Sequence, residues 1–523
     1  MSGFRWLDTA VVCLYLLGLT LLGLRFSRRQ TSTEQYFIAK RSIPSWAMGF
    51  SILATLITSL TFIAYPGSAY AKNWELLVPG FMVAVVLALV GFIIIPFYRQ
   101  EVGMSAYEYF GKRFGRPTRV YASAAFAMAH FSKMGFVLYL VALTVNSMTG
   151  WTVEVIIFVI GTLTILYTLK GGLEAVIWTD FVQGLVLWIG IAICLGFLLY
   201  TAPGGPSAVF RLASDQHKFS LGSTRFDFSQ PTVPVLIIYG FFWYLQKFTA
   251  DQTIVQRYLV AKTDRSALKG VALGSLLCVP VWSLFMLIGT CTWAFYRLTG
   301  ERLPAYVAKA DQVFPHFLTT HLPPGVAGLI MAALLGAAMC ALASDLNSFS
   351  AVGVEDIYRL LRPSASDKRR LRMGKYVVAV SGFACMATAL ALAQTKGSAL
   401  SMWFTVSAIA SGGLAGLFAL AFMTSRATRR GVYAGIIVSL AFTAWASLTL
   451  PGKRVFDLGM LNFPWHDYMI GAVGNVILFA SGFLASLLLP DTEKVDGRLR
   501  EITLWHWLRT RRQAAVGHTH AAR

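Results

Sequence analysis

The sequence predicts an all-α protein that crosses a bilayer about thirteen times, and three observations carry that prediction. Of its 523 residues 56% are hydrophobic and only 13% charged, with a mean hydropathy of +0.62. A soluble domain with an ordinary polar surface does not have this balance. The apolar residues fall into thirteen runs, each near the length that spans a membrane as a helix. One of these runs, GFSILATLITSLTFIAYPG from Gly49 to Gly67, carries Thr55, Thr58, Ser59 and Thr61 in its middle and ends on Pro66-Gly67. A helix facing lipid is not written that way.

In chain order the runs cover roughly 6–26, 45–66, 78–98, 121–148, 153–169, 176–200, 233–250, 271–296, 325–350, 376–395, 400–424, 431–450 and 467–489. The first is too long for the core of a signal peptide and has no small-residue cleavage site behind it, so it is read as a retained span. Residues 1–490 thus form one membrane domain, followed by a basic tail over 491–523, and no separate soluble domain fits. An odd number of spans puts the two ends on opposite sides. Counting Arg25 with the loop it enters, one side holds 32 Lys and Arg and the other 11. The positive-inside rule then places the N-terminus outside, the tail in the cytoplasm, and the protein in the plasma (inner) membrane. Topology accounts for the net charge of +21 without nucleic-acid binding. The tail segment WHWLRTRR is read as solvated, with contact to anionic lipid as the alternative. All six cysteines lie in apolar runs and show no metal-ligand spacing, so they read as small buried residues.

The Gly49–Gly67 run has a chemical use for its hydroxyls. They bond back to the preceding turn and loosen the helix, which frees carbonyls such as those of Ala54 and Ile57 for a small cation. The alternative is a packing face of small residues between helices. Three ionisable residues also fall inside or near spans. Asp180 costs roughly 2.5 to 3.5 kcal/mol at the centre of a bilayer and must face protein or water with a partner. Lys133, in AHFSKMGFVLY, and Lys247, in WYLQKFTAD, either bind something or snorkel to an interface.

Five stretches carry a family resemblance: YFIAKRSIPSW (Tyr36–Trp46), MSAYEYFGKRFG (Met104–Gly115), LYTLKGGLEAVIWTDFVQ (Leu166–Gln183), DQTIVQRYLVAK (Asp251–Lys262) and ALLGAAMCALASDLNSFSAVGVEDIYRLL (Ala333–Leu361). Through them the chain resembles the sodium/solute symporter family from end to end. That resemblance implies a LeuT-type five-plus-five inverted repeat with extra helices at both ends, the repeats covering about 45–200 and 233–424. The second and seventh spans are then the broken helices.

Site residues follow from the same resemblance. One family sodium site uses carbonyls matching Ala54, Ile57 and Ala337, with two hydroxyls at positions that are Cys340 and Ala341 here. A thiol is a weak ligand for a hard cation and a methyl is none, so this chain departs from the pattern. A second sodium site of some members gathers around Asp180; Ser344 matches its hydroxyl, Ala343 does not, and Asp345 is an added carboxylate. Members that carry sialic acids hold the solute carboxylate with an arginine at the place of Lys133 and use hydroxyls matching Thr58 and Thr61. Members that carry neutral sugars use polar residues where this chain has Leu56 and Leu60. Lys247 and Phe248 stand where those sugar carriers place an aromatic gate.

The expected function is secondary active import of a small organic anion or acidic sugar, coupled to sodium, with no enzymatic activity and no cofactor. Its partners are the solute, sodium and the lipid bilayer. A proton-coupled or uncoupled carrier of the same fold is one alternative. A membrane solute sensor is the other, disfavoured by a tail too short for an output domain.

Overall fold

Every element placed in the computed structural model is helical, over described residues 6–305, 307, 309–394, 409, 412–451, 455–489 and 502–509. The Leu60 side chain, most of the eleventh run's first half and most of the 491–523 tail lie outside them. The chain runs α1 (Trp6–Arg25), α2 (Thr33–Ile38), α3 (Ser45–Leu56), α4 (Ser59–Ala71), α5 (Val78–Glu101), α6 (Glu108–Phe114), α7 (Arg116–Thr149), α8 (Val153–Thr201), α9 (Gly205–Asp215), α10 (Val233–Ala250), α11 (Gln252–Leu259) and α12 (Asp264–Thr299). It continues through α13 (Ala310–His321), α14 (Val326–Val352), α15 (Asp367–Gln394), α16 (Leu414–Met423), α17 (Arg429–Leu448) and α18 (Tyr468–Leu488).

Ten of the described helices are long and apolar enough to cross a membrane, or eleven when the bent pair α3 and α4 is taken as one span. The count of thirteen runs differs partly because α8 joins the fifth and sixth. A straight helix of its 49 residues would measure about 74 Å, more than twice the hydrocarbon thickness. Gly172 resolves the mismatch: its φ of 59° and ψ of −160° are non-helical and divide α8 into two arms. From the eleventh run, residues 409 and 412–424 are described, and α16 lies among them.

Two spans are interrupted. Between α3 and α4, Ile57 and Thr58 are extended, and the two halves meet at 56°. Between α10 and α11, Asp251 alone is extended. The first break falls within the second run and the other one residue past the end of the seventh, the two spans expected to be the broken helices of an inverted repeat. Small residues seat the first broken helix against α12. A Cβ on Gly274 would stand 2.3 Å from the Gly49 carbonyl, and one on Gly289 would stand 2.2 Å from the Pro66 carbonyl. The packing role and the polar role of this run therefore coexist.

The loops sort onto two faces. On one, Asp8 accepts the N–H groups of Gly325 and Gly328 at the start of α14, and Lys218 donates to the Tyr70 and Lys72 carbonyls. On the other, Glu174 accepts from Arg29 and Gln35, and Arg99 pairs with Asp264. The tail joins this second face. Trp507 is 7% exposed and donates to Gln100 at 3.0 Å, while Tyr109 donates to the Ile502 carbonyl at 3.1 Å. A solvated tail is thus corrected for residues 502–509, because two tryptophans and a buried Thr503 give that segment enough apolar and hydrogen-bonding surface to dock.

Candidate functional site

The first break exposes carbonyls because of where α3 stops. Ala54, Thr55 and Leu56 sit in its last turn, and the N–H groups four residues on belong to the break or to α4. The N–H of Thr58, which a continuous helix would aim at Ala54, donates to Thr61 Oγ1 at 3.4 Å. Thr55 bonds back to the Ser51 carbonyl at 2.7 Å, the expected behaviour of an in-span hydroxyl. Ala54, Ile57 and Ala337 are all buried, as are Cys340 and Ala341.

Around this break lies a first polar cluster. Asp180, fully buried on α8, accepts from Ser51 Oγ at 2.5 Å and from Arg257 Nη2 at 3.1 Å, both on Oδ2. Arg257, on α11, also donates to Ser344 Oγ at 2.6 Å, to Ser51 Oγ at 2.9 Å and to the Thr253 carbonyl at 2.5 Å. Sequence reasoning missed Arg257. It stands in the DQTIVQRYLVAK stretch, just past the seventh run, and its side chain has no solvent exposure. A buried charge demands a buried counter-charge, and a carboxylate in a span, as Asp180 is, calls for one. Asp180 Oδ1 has no hydrogen-bond partner among the described residues. That unclaimed carboxylate oxygen and the released α3 carbonyls are hard oxygen donors of the kind a small cation takes. Cys340 and Ala341 add none.

A second cluster joins α7, α10 and α14. Lys133 Nζ donates to Asp345 Oδ1 at 3.0 Å and stands 2.9 Å from Oδ2 as a charge contact. His130, one turn before Lys133, sits between two carboxylates, its Nδ1 2.8 Å from Asp345 and its Nε2 3.1 Å from Asp251. Lys247 donates to Asp251 at 2.5 Å and stacks on Trp243. Both lysines are thus paired inside the protein and neither snorkels. Phe248 is buried at 3% exposure, and its carbonyl accepts from Tyr258.

Asp180 and Asp345 do not share a site, contrary to the expectation that they form one carboxylate-rich place. Neighbouring residues on a helix point about 100° apart, so Ser344 turns to Arg257 and Asp180 while Asp345 turns to Lys133 and His130. The partners of His130 and the capping role of Asp251 are not legible in the sequence, although both residues stand inside the stretches AHFSKMGFVLY and DQTIVQRYLVAK.

The second break is closed where the first is open. Tyr258, Tyr98 and Tyr107 donate to the carbonyls of Phe248, Thr249 and Ala250, the last three of α10. Asp251 Oδ1 caps α11 through the Thr253 N–H at 2.9 Å and the Thr253 hydroxyl at 2.5 Å.

Two interrupted spans around buried ionic clusters define a multi-pass helical transporter of the alternating-access kind. Known proteins place it further. The model of the sodium:solute symporter family matches residues 36–439. The sodium/sialic acid symporter SiaT of Proteus mirabilis is 33% identical over 499 residues, covering 95% of this chain and 98% of that protein. The sodium/sialic acid symporter NanT of Aliivibrio fischeri is 31% identical over 499 residues, 95% of this chain and 96% of the other. A solved structure of a Na+-coupled sialic acid symporter, substrate-bound and outward-open, superposes with a TM-score of 0.86 at 30% identity, covering 94% of this chain and all of that one. The chain belongs to the sodium:solute symporter family. It is a plasma-membrane transporter and not an enzyme.

Proposed function

We propose that this protein imports a small organic anion, an acidic sugar of the sialic-acid kind, with sodium as the driving ion. The observation that carries the reading is Lys133. It stands at a buried junction of α7 and α14, keeps 32% of its side chain exposed, and is the open end of an otherwise enclosed ionic cluster. A solute carboxylate that reaches it meets a point charge in a water-poor setting, where a charged hydrogen bond counts for more than in water. Thr58 and Thr61, at the first break, supply hydroxyls for the rest of the solute. Lys247 and Phe248 act from the second break, Lys247 through Asp251.

Sodium belongs at the first break in this reading, on the Ala54, Ile57 and Ala337 carbonyls and the free oxygen of Asp180, with Ser344 beside it. Bound there, the ion supplies positive charge that draws the two halves of the broken helix and α14 together. The repeats at about 45–200 and 233–424 then rock around this centre. The N-terminus faces outside and the tail the cytoplasm, with the lipid bilayer around the spans and no nucleic acid as partner. The partition of loops onto two faces supports that sidedness, and the count of basic residues gives its sign.

Cys340 and Ala341 favour one second reading, a carrier driven by protons or by the solute gradient alone. Purified protein in liposomes separates the two. Labelled N-acetylneuraminic acid is expected to accumulate above its outside concentration under an inward sodium gradient and only to equilibrate under potassium. Equal accumulation without sodium would select the second reading.

A further inference from the structure

We propose that Asp345, held by His130, is an internal counter-ion that competes with the solute for Lys133 and so limits how tightly this carrier binds an anion. The inference rests on the anion reading of Lys133 given above. Asp345 faces away from the Asp180 cluster and has only 1% of its side chain exposed. Both of its oxygens lie against Lys133, at 3.0 and 2.9 Å. It cannot swing aside freely, because His130 Nδ1 holds Oδ1 at 2.8 Å and His130 is itself anchored by Asp251, which Lys247 and Thr253 fix in turn. Among the five charged or ionisable members of this cluster, Lys133 has the largest side-chain exposure, 32%, and the others have 16% or less.

An ammonium has three N–H donors and one unit of charge. A solute carboxylate arriving from the open side takes the direction left over and shares the charge with Asp345. It also comes close to a second carboxylate in a poorly solvated place, which opposes it. An anion therefore gains less from Lys133 than from an unshared lysine, whereas a solute whose carboxyl is esterified is barely affected. Asp345 is a specificity-determining residue, and His130 is a positioning residue that acts through it.

Asp345→Asn keeps the shape and removes the charge. Binding of N-acetylneuraminic acid and of its methyl ester is measured on the purified full-length protein in sodium. The acid is expected to bind about tenfold more tightly to Asp345→Asn, the worth of one charged hydrogen bond made unshared, with the ester unchanged. His130→Gln, which frees Asp345 to move, shifts the ratio of acid to ester in the same direction by less, and it decides the matter should Asp345→Asn fail to fold. An unchanged or weakened acid, or equal changes for acid and ester, would overturn the proposal. Lys133→Ala tests the underlying reading separately: if it binds the acid as well as the native protein does, the anion is held elsewhere.

Discussion

The two broken helices do the same thing to the backbone and opposite things with the result. At the first, α3 ends among threonines whose hydroxyls bond locally, and the Ala54 carbonyl loses the Thr58 N–H that a continuous helix would aim at it. At the second, three tyrosine hydroxyls from α5, α11 and the segment before α6 claim the last three carbonyls of α10, and the Asp251 side chain claims the Thr253 N–H. An interrupted span is therefore not an ion site by virtue of being interrupted. What decides is whether distant side chains have already satisfied the freed groups. The closed break still serves the open one, because its α11 carries Arg257 to Asp180 and its Asp251 holds the cluster that ends at Lys133.

The largest expected effect breaks that link. Arg257→Ala strands Asp180 as a buried unpaired charge and should cost about 3 to 5 kcal/mol of stability, against a smaller loss for Arg257→Lys. Thermal unfolding of the purified variants measures this, and an unfolding temperature equal to the native one would mean that Asp180 is paired otherwise. Next comes Lys133→Ala, expected to lower apparent affinity for the anion at least about tenfold in uptake assays, while Lys133→Arg retains it. Sharper contrasts between the breaks are smaller. Tyr107→Phe leaves the Ala250 carbonyl without its donor and should cost about 1 kcal/mol of stability with no change in sodium half-saturation. Thr55→Val, at the open break, should raise the sodium half-saturation instead. Smallest is Ala341→Ser, which returns one hydroxyl to the carbonyl site and should lower the sodium half-saturation severalfold; no response would place the ion away from those carbonyls.

Much of the fold was legible because the bilayer leaves few choices: apolar runs of spanning length become helices, and hydroxyls with Pro66-Gly67 mark a span that cannot be regular. The site was legible in single residues and not in pairs. Asp180 and Lys133 announced themselves as costly charges, but nothing in a sequence without spatial contacts tells that Arg257, 77 positions from Asp180, turns inward while Lys262 of the same stretch faces solvent. For the same reason Asp345 was joined to Asp180, since adjacency to Ser344 in the chain looks like adjacency in space. The α-helical step of about 100° per residue separates them. Gly172 was readable as a turn in KGGLE, but the closure of the second break was not, because its three tyrosines come from three separate segments.

The difference between the breaks is tested most directly by amide hydrogen exchange across both of them, on the purified full-length protein, as sodium replaces potassium at constant ionic strength. Sodium is expected to slow exchange in residues 54–61 and around Asp180, with half-effect at the concentration that half-saturates uptake, and to leave residues 248–255 unchanged. Protection at 248–255 with none at 54–61 would contradict it.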